Sequence, residues 1–334
     1  ERADPDAAPQ QESRDVSAVA KPEARANIIL SSQVAQGLAA IGDRWAFLII
    51  REIYLGVRRF EDLRERTQAA RGTLASRLKS LVEQGILYKN PYQKNPVRHE
   101  YRLTDKGLDL YPVVLMMWRW EHDWCDHHYL PAKLVHQSCG SDMIPVYRCQ
   151  SCKLEIRPQD VTYSVGENFE AARKIPPRFQ RRSRSKHEIE GYKGPEKVQA
   201  LDCIGDRWTS LVMAASFFGL QRFDDIGTSI GIATNILSDR LKALTRMGII
   251  DRVPYRERPV RHEYHLSQKG RDMYKQTLAI HEWANRWLIE PGREPLLLHH
   301  KSCDEGLRGE VVCSHCEQVL DPHEVTYRAL DRTE

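Results

Sequence analysis

The chain has 334 residues, 41% hydrophobic and 29% charged, which fits a soluble globular protein with a real core and roughly two domains. Its net charge is only +4, so any nucleic-acid surface must come from local clustering of Lys and Arg. No apolar run approaches the ~18 residues that span a bilayer, no secretory h-region is visible, and eight cysteines are too few for a disulfide scaffold, so a cytoplasmic protein is expected.

Residues 1–27 are rich in Ala, Pro, Gln, Asp and Glu without apolar periodicity and read as a disordered tail. A first domain is expected over 28–130. One helix ends near Ile41-Gly42 and another begins at Asp43 or Arg44. Phe60 to Arg66 forms a short helix with Phe60 and Leu63 inward, and a turn follows at Gln68 to Gly72. Leu74, Leu78, Leu81 and Val82 then fall on one face of a helix, and Gly85 is placed to end it in a left-handed cap. Ile86 to Tyr88 and Arg98 to Leu103 read as two strands, with Pro91 and Pro96 bracketing a loop too proline-rich to be ladder. Thr104 begins a long helix that runs through Trp124. Helix, turn, helix and basic hairpin is the winged-helix order.

A Cys/His module follows at 131–166 and a basic linker at 167–195. The linker holds Arg181, Arg182, Arg184 and Lys186, and reads either as a solvated tether or as an arm on phosphates. Then the pattern returns. IGDRW at Ile41 to Trp45 recurs at Ile204 to Trp208, and PVRHEY at Pro96 to Tyr101 recurs at Pro259 to Tyr264, both shifted by 163. From Ile41 to Gly107, 29 of 67 positions match their counterparts without a gap, which chance does not produce, so the domain is duplicated. The second winged helix is expected over 196–292 and its Cys/His module over 293–330. The fold class is α+β and mainly helical: two tandem winged helix-turn-helix domains, each with a small zinc-ribbon-like appendage.

A major groove about 12 Å wide admits one helix and reads its exposed side chains. Outside the apolar stripe, copy one offers Arg71, Thr73, Ser76, Arg77 and Lys79. Copy two offers Asn235, Ser238, Asp239, Arg240 and Lys242. The hairpins add cations for phosphates: Lys89, Lys94, Arg98 and Arg102 in the first, and Arg252, Arg256, Arg258 and Arg261 in the second. Arg98 and Arg261 have an alternative, ion pairing with Glu100 and Glu263 two residues along the strand. Each exposed helix face also has a plainer reading, as the wet side of an amphipathic helix.

Each copy also carries His-x2-Cys-x9-Cys-x2-Cys: His136, Cys139, Cys149 and Cys152, then His300, Cys303, Cys313 and Cys316. Two short pairs can converge four N and S ligands on one tetrahedral ion. Four protein ligands leave no open position, so structural zinc is expected, two ions per chain and one per copy. Reduced, metal-free knuckles and Cys149–Cys152 redox chemistry are the alternatives, and a slip of one residue would substitute His299 for His300. Trp120 and Trp124 share a helix face, as do Trp283 and Trp287. These four read either as core and domain-pairing surface or as the aromatic lining of a small-molecule effector pocket between the halves.

IGDRW, the LxxRLKxL helix and PYxxxPVRHEYxLxxKG resemble the HxlR family of bacterial transcription regulators, over about Asn27 to Trp124 and Val198 to Trp287. The resemblance implies winged-helix domains that pair through terminal helices, with recognition helices at Leu74 to Gln84 and Leu237 to Met247. It implies DNA binding by an intramolecular pseudo-dimer, with repression favoured over activation. Several family members sense oxidants through a Cys before the first helix; Ser32 and Pro195 hold the matching positions here, and Cys125 and Cys203 read as inert. A protein-interaction scaffold without sequence-specific DNA binding is the competing function. Catalysis is not expected: His99-Glu100 and His262-Glu263 lack a second His, with Leu103 and Leu266 in its place, and no phosphate loop or nucleophile elbow is present.

Overall fold

A computed structural model describes residues 28–125, 132–166 and 199–329. The expected tail (1–27), the basic linker (167–195) and Pro195 lie outside these residues. No helix among them is long and apolar enough to cross a membrane.

The first winged helix opens with α1 (Gln33–Ile41) and α2 (Arg44–Tyr54). Between them Asp43 caps α2 by accepting from the backbone N–H groups of Trp45 and Ala46. α3 (Phe60–Thr67) ends where Gln68 turns left-handed, and α4 (Arg71–Glu83) follows. Leu74, Leu78 and Leu81 of α4 are fully buried, each worth roughly 1.5–3 kcal/mol of transfer free energy. Gly85 takes the left-handed φ of 67° expected of a helix cap.

The wing differs from the sequence expectation. β1 (Leu87–Lys94) and β2 (Val97–Leu103) pair almost to the tip, and Pro91 sits in the ladder opposite His99, with a bulge before Gln93. A two-stranded ribbon has two free edges, so a proline lacking its N–H is tolerated on the outward side. The helix predicted from Thr104 to Trp124 is also broken, into α5 (Asp105–Leu108) and α6 (Tyr111–Trp124). Thr104 caps α5, and Gly107 lies so close beneath the Ile86 carbonyl that a Cβ would approach it to 2.3 Å.

The second copy repeats this order. It comprises α7 (Gln199–Ile204), α8 (Arg207–Phe217), α9 (Phe223–Ile230), α10 (Thr234–Arg246), β7 (Ile250–Glu257), β8 (Val260–Leu266), α11 (Gln268–Asp272) and α12 (Tyr274–Leu288).

The copies dock through their terminal helices. α1 lies along α12 of the other copy, α7 contacts α6, and α6 packs on α12. Gly37 permits the α1–α12 approach, since a Cβ there would meet Ile280 at 2.7 Å. Gln33, fully buried, donates to the Leu296 carbonyl at 2.7 Å. Buried residues of both copies share one continuous hydrophobic core.

The appendages are interleaved rather than separate. β3 (Ala132–His136) pairs with β4 (Ser141–Met143) from its own copy and with β12 (Val325–Ala329) from the other. β9 (Leu296–His300) pairs with β10 (Glu305–Gly306) and with β6 (Val161–Val165) of the first copy. Between these sheets β5 (Pro145–Cys149) runs antiparallel to β11 (Gly309–Cys313).

Candidate metal centres and nucleic-acid interface

All eight knuckle residues converge, but in crossed sets. One cluster joins His136 and Cys139 to Cys313 and Cys316; the other joins Cys149 and Cys152 to His300 and Cys303. The expected one-copy sets, His136 with Cys149 and Cys152, and His300 with Cys313 and Cys316, are not what the strands bring together. The reason is the length of β5. Four residue steps lead from Pro145 to Cys149 along an extended strand, about 14 Å at 3.4 Å each, so Cys149 is carried away from Cys139. Antiparallel pairing places Cys313 beside Pro145 at the near end. Ser314 and Ile144 close that end with two reciprocal hydrogen bonds of 3.0 and 3.1 Å.

Within the first cluster the His136 Nδ1 lies 3.5 Å from the Cys139 Sγ and 3.2 Å from the Cys316 Sγ, and the Cys139 and Cys313 sulfurs are 4.0 Å apart. The second repeats this: the His300 Nδ1 is 3.3 Å from Cys152 and 3.5 Å from Cys303, and Cys149 is 3.9 Å from Cys303. Both imidazoles are fully buried. His299 bonds Ser164 instead, so His300 is the residue that joins the cluster. Gly140 and Asp304 both adopt positive φ, which is how the second copy turns its knuckle without a glycine. Chiefly the backbone N–H of Ser141 draws the Cys139 thiol down to about 6, toward the thiolate that binds metals. Each cluster can hold a metal ion with four protein ligands.

On the helices expected to read DNA, Arg71, Ser76 and Lys79 of α4 are exposed and Thr73 is half-buried. On α10, Asn235, Asp239 and Lys242 are exposed and Ser238 is half-buried. Two members of the expected reading set, Arg77 and Arg240, carry ion pairs within their own copy. Arg77 pairs with Asp43 at 2.8 Å, and Arg240 pairs with Asp206 at 2.6 Å with only 11% of its side chain exposed. Each arginine ties its reading helix to the aspartate that caps the preceding long helix. The Asp of IGDRW and the Arg of LxxRLKxL are therefore one structural device, and their co-occurrence in both copies was the available signal.

The wings carry Lys94, Arg98, Arg256, Arg258 and Arg261 exposed near their tips. Arg98 and Arg261 are not spent on the neighbouring glutamates. Asn90 and Arg102 hold the Glu100 carboxyl below the usual carboxylate range, while Glu263 takes Arg222 at 3.1 Å and His265 at 3.3 Å. Along the wings Arg59 covers Tyr92 and Arg222 covers Tyr255, with ring distances of 4.7 and 4.9 Å.

The four tryptophans form a reciprocal clasp rather than the lining of an effector pocket. The Trp120 Nε1 donates to the Lys269 carbonyl and the Trp283 Nε1 to the Lys106 carbonyl, both at 2.9 Å. Trp124 donates to Asp272 at 3.0 Å and Trp287 to Asp109 at 2.8 Å. Trp120 and Trp283 are 2% exposed, which leaves their faces no room for a ligand. Burial pushes the Cys125 thiol up to about 12, helped by Glu121, and places Cys203 well above its ordinary range. Ser32 is buried and caps α1.

A family model described as HxlR-like helix-turn-helix matches residues 40–129 and again 203–291. The chain is 36% identical over 135 residues to the uncharacterized HTH-type transcriptional regulator Rv3095 of Mycobacterium tuberculosis, covering 40% of this chain and 85% of that one. It is 34% identical over 95 residues to the uncharacterized HTH-type transcriptional regulator YvaP of Bacillus subtilis, covering 28% of this chain and 88% of that one.

Proposed function

This chain belongs to the HxlR-like helix-turn-helix family and is a winged-helix DNA-binding transcription regulator, and we propose that it works as a single-chain pseudo-dimer reading two unlike half-sites. One observation carries the reading. Two complete winged helices, braced into one core, present different side chains at equivalent places on their reading helices. Gly72, Thr73 and Ser76 of α4 correspond to Asn235, Ile236 and Asp239 of α10. Lys79 and Lys242 are alike, so contacts to the phosphate backbone are shared while contacts to base edges diverge. A homodimer mirrors its two-fold symmetry in a palindrome; this chain prefers an imperfect pair of half-sites about one helical turn apart, or a longer composite bound by two chains. Repression is the favoured regulatory sign.

Randomised-site selection with the purified chain tests it. The expected optimum is asymmetric. Asn235→Ala changes preference within one half-site by about 1–3 kcal/mol per lost contact. Replacing Arg258 and Arg261 by Ala weakens binding to every sequence and flattens the salt dependence by about 0.9 per lost phosphate contact. A strictly palindromic optimum that ignores Asn235 overturns the reading, and binding without salt dependence favours the interaction-scaffold alternative.

Zinc is the proposed occupant of both clusters. With Zn–S near 2.3 Å and Zn–N near 2.0 Å, a tetrahedron has S···S edges of about 3.8 Å and N···S edges of about 3.5 Å. The observed 3.9–4.0 and 3.2–3.5 Å separations suit that ion. The Nε2 of each imidazole is buried without a hydrogen-bond partner, and that of His136 lies 3.7 Å from a Glu324 carboxylate oxygen. The role is structural, since no coordination position is left open.

Mild oxidants are not expected to release DNA through Cys125 or Cys203, because the thiolate is the reactive species and burial disfavours it. Binding after diamide treatment, compared between the unmodified chain and its Cys125→Ser and Cys203→Ser variants, checks this. Loss of binding that either serine prevents, with both metals retained, contradicts it.

A further inference from the structure

The duplication places equivalent cavities in the two halves, each where a winged helix meets the ribbon of the other copy. Tyr54, Tyr111 and Val114 line the first beside Val325 and Tyr327. Phe217, Tyr274 and Thr277 line the second beside Val161 and Tyr163. The first holds about 120 Å³ and the second about 300 Å³. Two exchanges on the walls enlarge the second: Ala214 stands where the first has Arg51, and His281 where the first has Trp118.

Size and shape narrow what would fit. An apolar cavity of about 150 Å³ holds one benzene ring, so the first falls short of that and the second has room for two fused rings. Two aromatic pairs wall the second edge to face, Tyr163 against Phe218 at 4.9 Å and Phe217 against Tyr274 at 5.0 Å between centroids. Such walls suit a flat aromatic guest.

His281 supplies the polar contact. Its side chain lines the cavity and is only 5% exposed. Neither ring nitrogen has a hydrogen-bond partner among the described residues, and neither is sealed in the packing, so the little surface that His281 keeps includes them. Its counterpart Trp118 differs on this point, since its Nε1 is sealed. Other polar groups on the wall are engaged with backbone carbonyls: Ser32 with Ile29, Thr277 with Met273 and Lys301 with Gln159. Burial pushes the His281 imidazole down to about 4, so it stays uncharged at neutral pH, one nitrogen donating and the other accepting. A hydroxyl, which does both, is its complement.

We propose that the second cavity is a binding site for a small neutral aromatic alcohol of two fused rings, with its hydroxyl on His281. The assignment goes beyond the DNA-binding reading and does not depend on it, so binding is measured on the full chain without DNA. Because α8 also packs on α10, the site lies one helix behind the face expected to read DNA.

The probes are 2-naphthol, naphthalene and 2-naphthoate, followed by equilibrium dialysis. One 2-naphthol is expected per chain, bound about fivefold tighter than naphthalene, the worth of one hydrogen bond. The charged 2-naphthoate is expected to bind more weakly than 2-naphthol. His281→Phe removes the preference for 2-naphthol and leaves naphthalene binding in place. Ala214→Arg combined with His281→Trp installs the side chains of the first cavity and abolishes binding, whereas Val114→Phe, in the first cavity, leaves it intact. Should the double variant fail to fold, the His281→Phe comparison decides alone. Absence of 2-naphthol binding, tighter binding of 2-naphthoate, a preference unaltered in His281→Phe, or loss on Val114→Phe while the double variant still binds overturns the proposal.

Discussion

Replacing Cys139 and Cys149 together, both from the first copy, is expected to leave the chain with no bound metal. Replacing Cys139 and Cys313, one from each copy, is expected to leave one ion. The prediction follows from the crossed clusters, since Cys139 and Cys313 share a site while Cys139 and Cys149 belong to different ones. Native mass spectrometry of the serine variants reads the outcome directly. Ligand sets confined to each copy would give the opposite pattern. The stakes are large, because apparent binding free energies of structural zinc sites reach roughly 10–16 kcal/mol near neutral pH. With the proposed zinc bound, that energy would hold strands from two halves together. Chelation is therefore expected to lower the melting temperature of the whole chain by many degrees, in one transition that includes both winged helices. A melting curve unchanged by a strong chelator contradicts this.

Trp120→Ala is expected to destabilise the chain by about 3–5 kcal/mol, the usual cost of truncating a buried large aromatic, and Trp283→Ala by a similar amount. Each removes an indole packed between the copies together with its hydrogen bond to a lysine carbonyl of the other copy. Trp120→Phe separates the two contributions. It keeps most of the ring burial and strands the Lys269 carbonyl, for about 1–3 kcal/mol. Urea denaturation followed by circular dichroism gives both numbers. Truncation should also cost affinity for the proposed two-half-site operator, because docking fixes the geometry in which the covalently linked copies can engage both half-sites at once, and the avidity of about 10²–10⁴ is lost when geometry forbids it. A Trp120→Ala chain within 1 kcal/mol of the parent by the same measurement, binding the full operator equally well, refutes the clasp.

The architecture was legible because its signals were local. Gly85 announces the end of α4, the leucine stripe defines its buried face, and the 163-residue repeat announces the duplication. Pro91 misled because proline in a strand is forbidden only where the ladder needs its N–H, and a free ribbon edge does not. The candidate metal ligands were legible as residues and illegible as sets. Both copies have the same spacing, so the first pair of either copy can join the second pair of either copy. Only the extension of β5 decides between them, and the x9 segment gives little sign that it is a strand. The ion pairs of Arg77 and Arg240 were illegible because their acceptors, Asp43 and Asp206, lie thirty-four residues earlier, at the N-caps of other helices.

The interleaving also sets a schedule for the ribosome. Cys139 and Cys313 are 174 positions apart, so at roughly 5–20 residues per second the first cluster waits about 9–35 s for its missing half. During that interval the emerging copy displays one His-x2-Cys pair and one Cys-x2-Cys pair, each complementary to the pairs on any neighbouring nascent chain. Two polypeptides made side by side on one message can trade these halves and become linked partners before either is complete. Yield from densely loaded messages should thus fall as initiation quickens, and the failed product should be a metal-bridged pair rather than an unfolded aggregate.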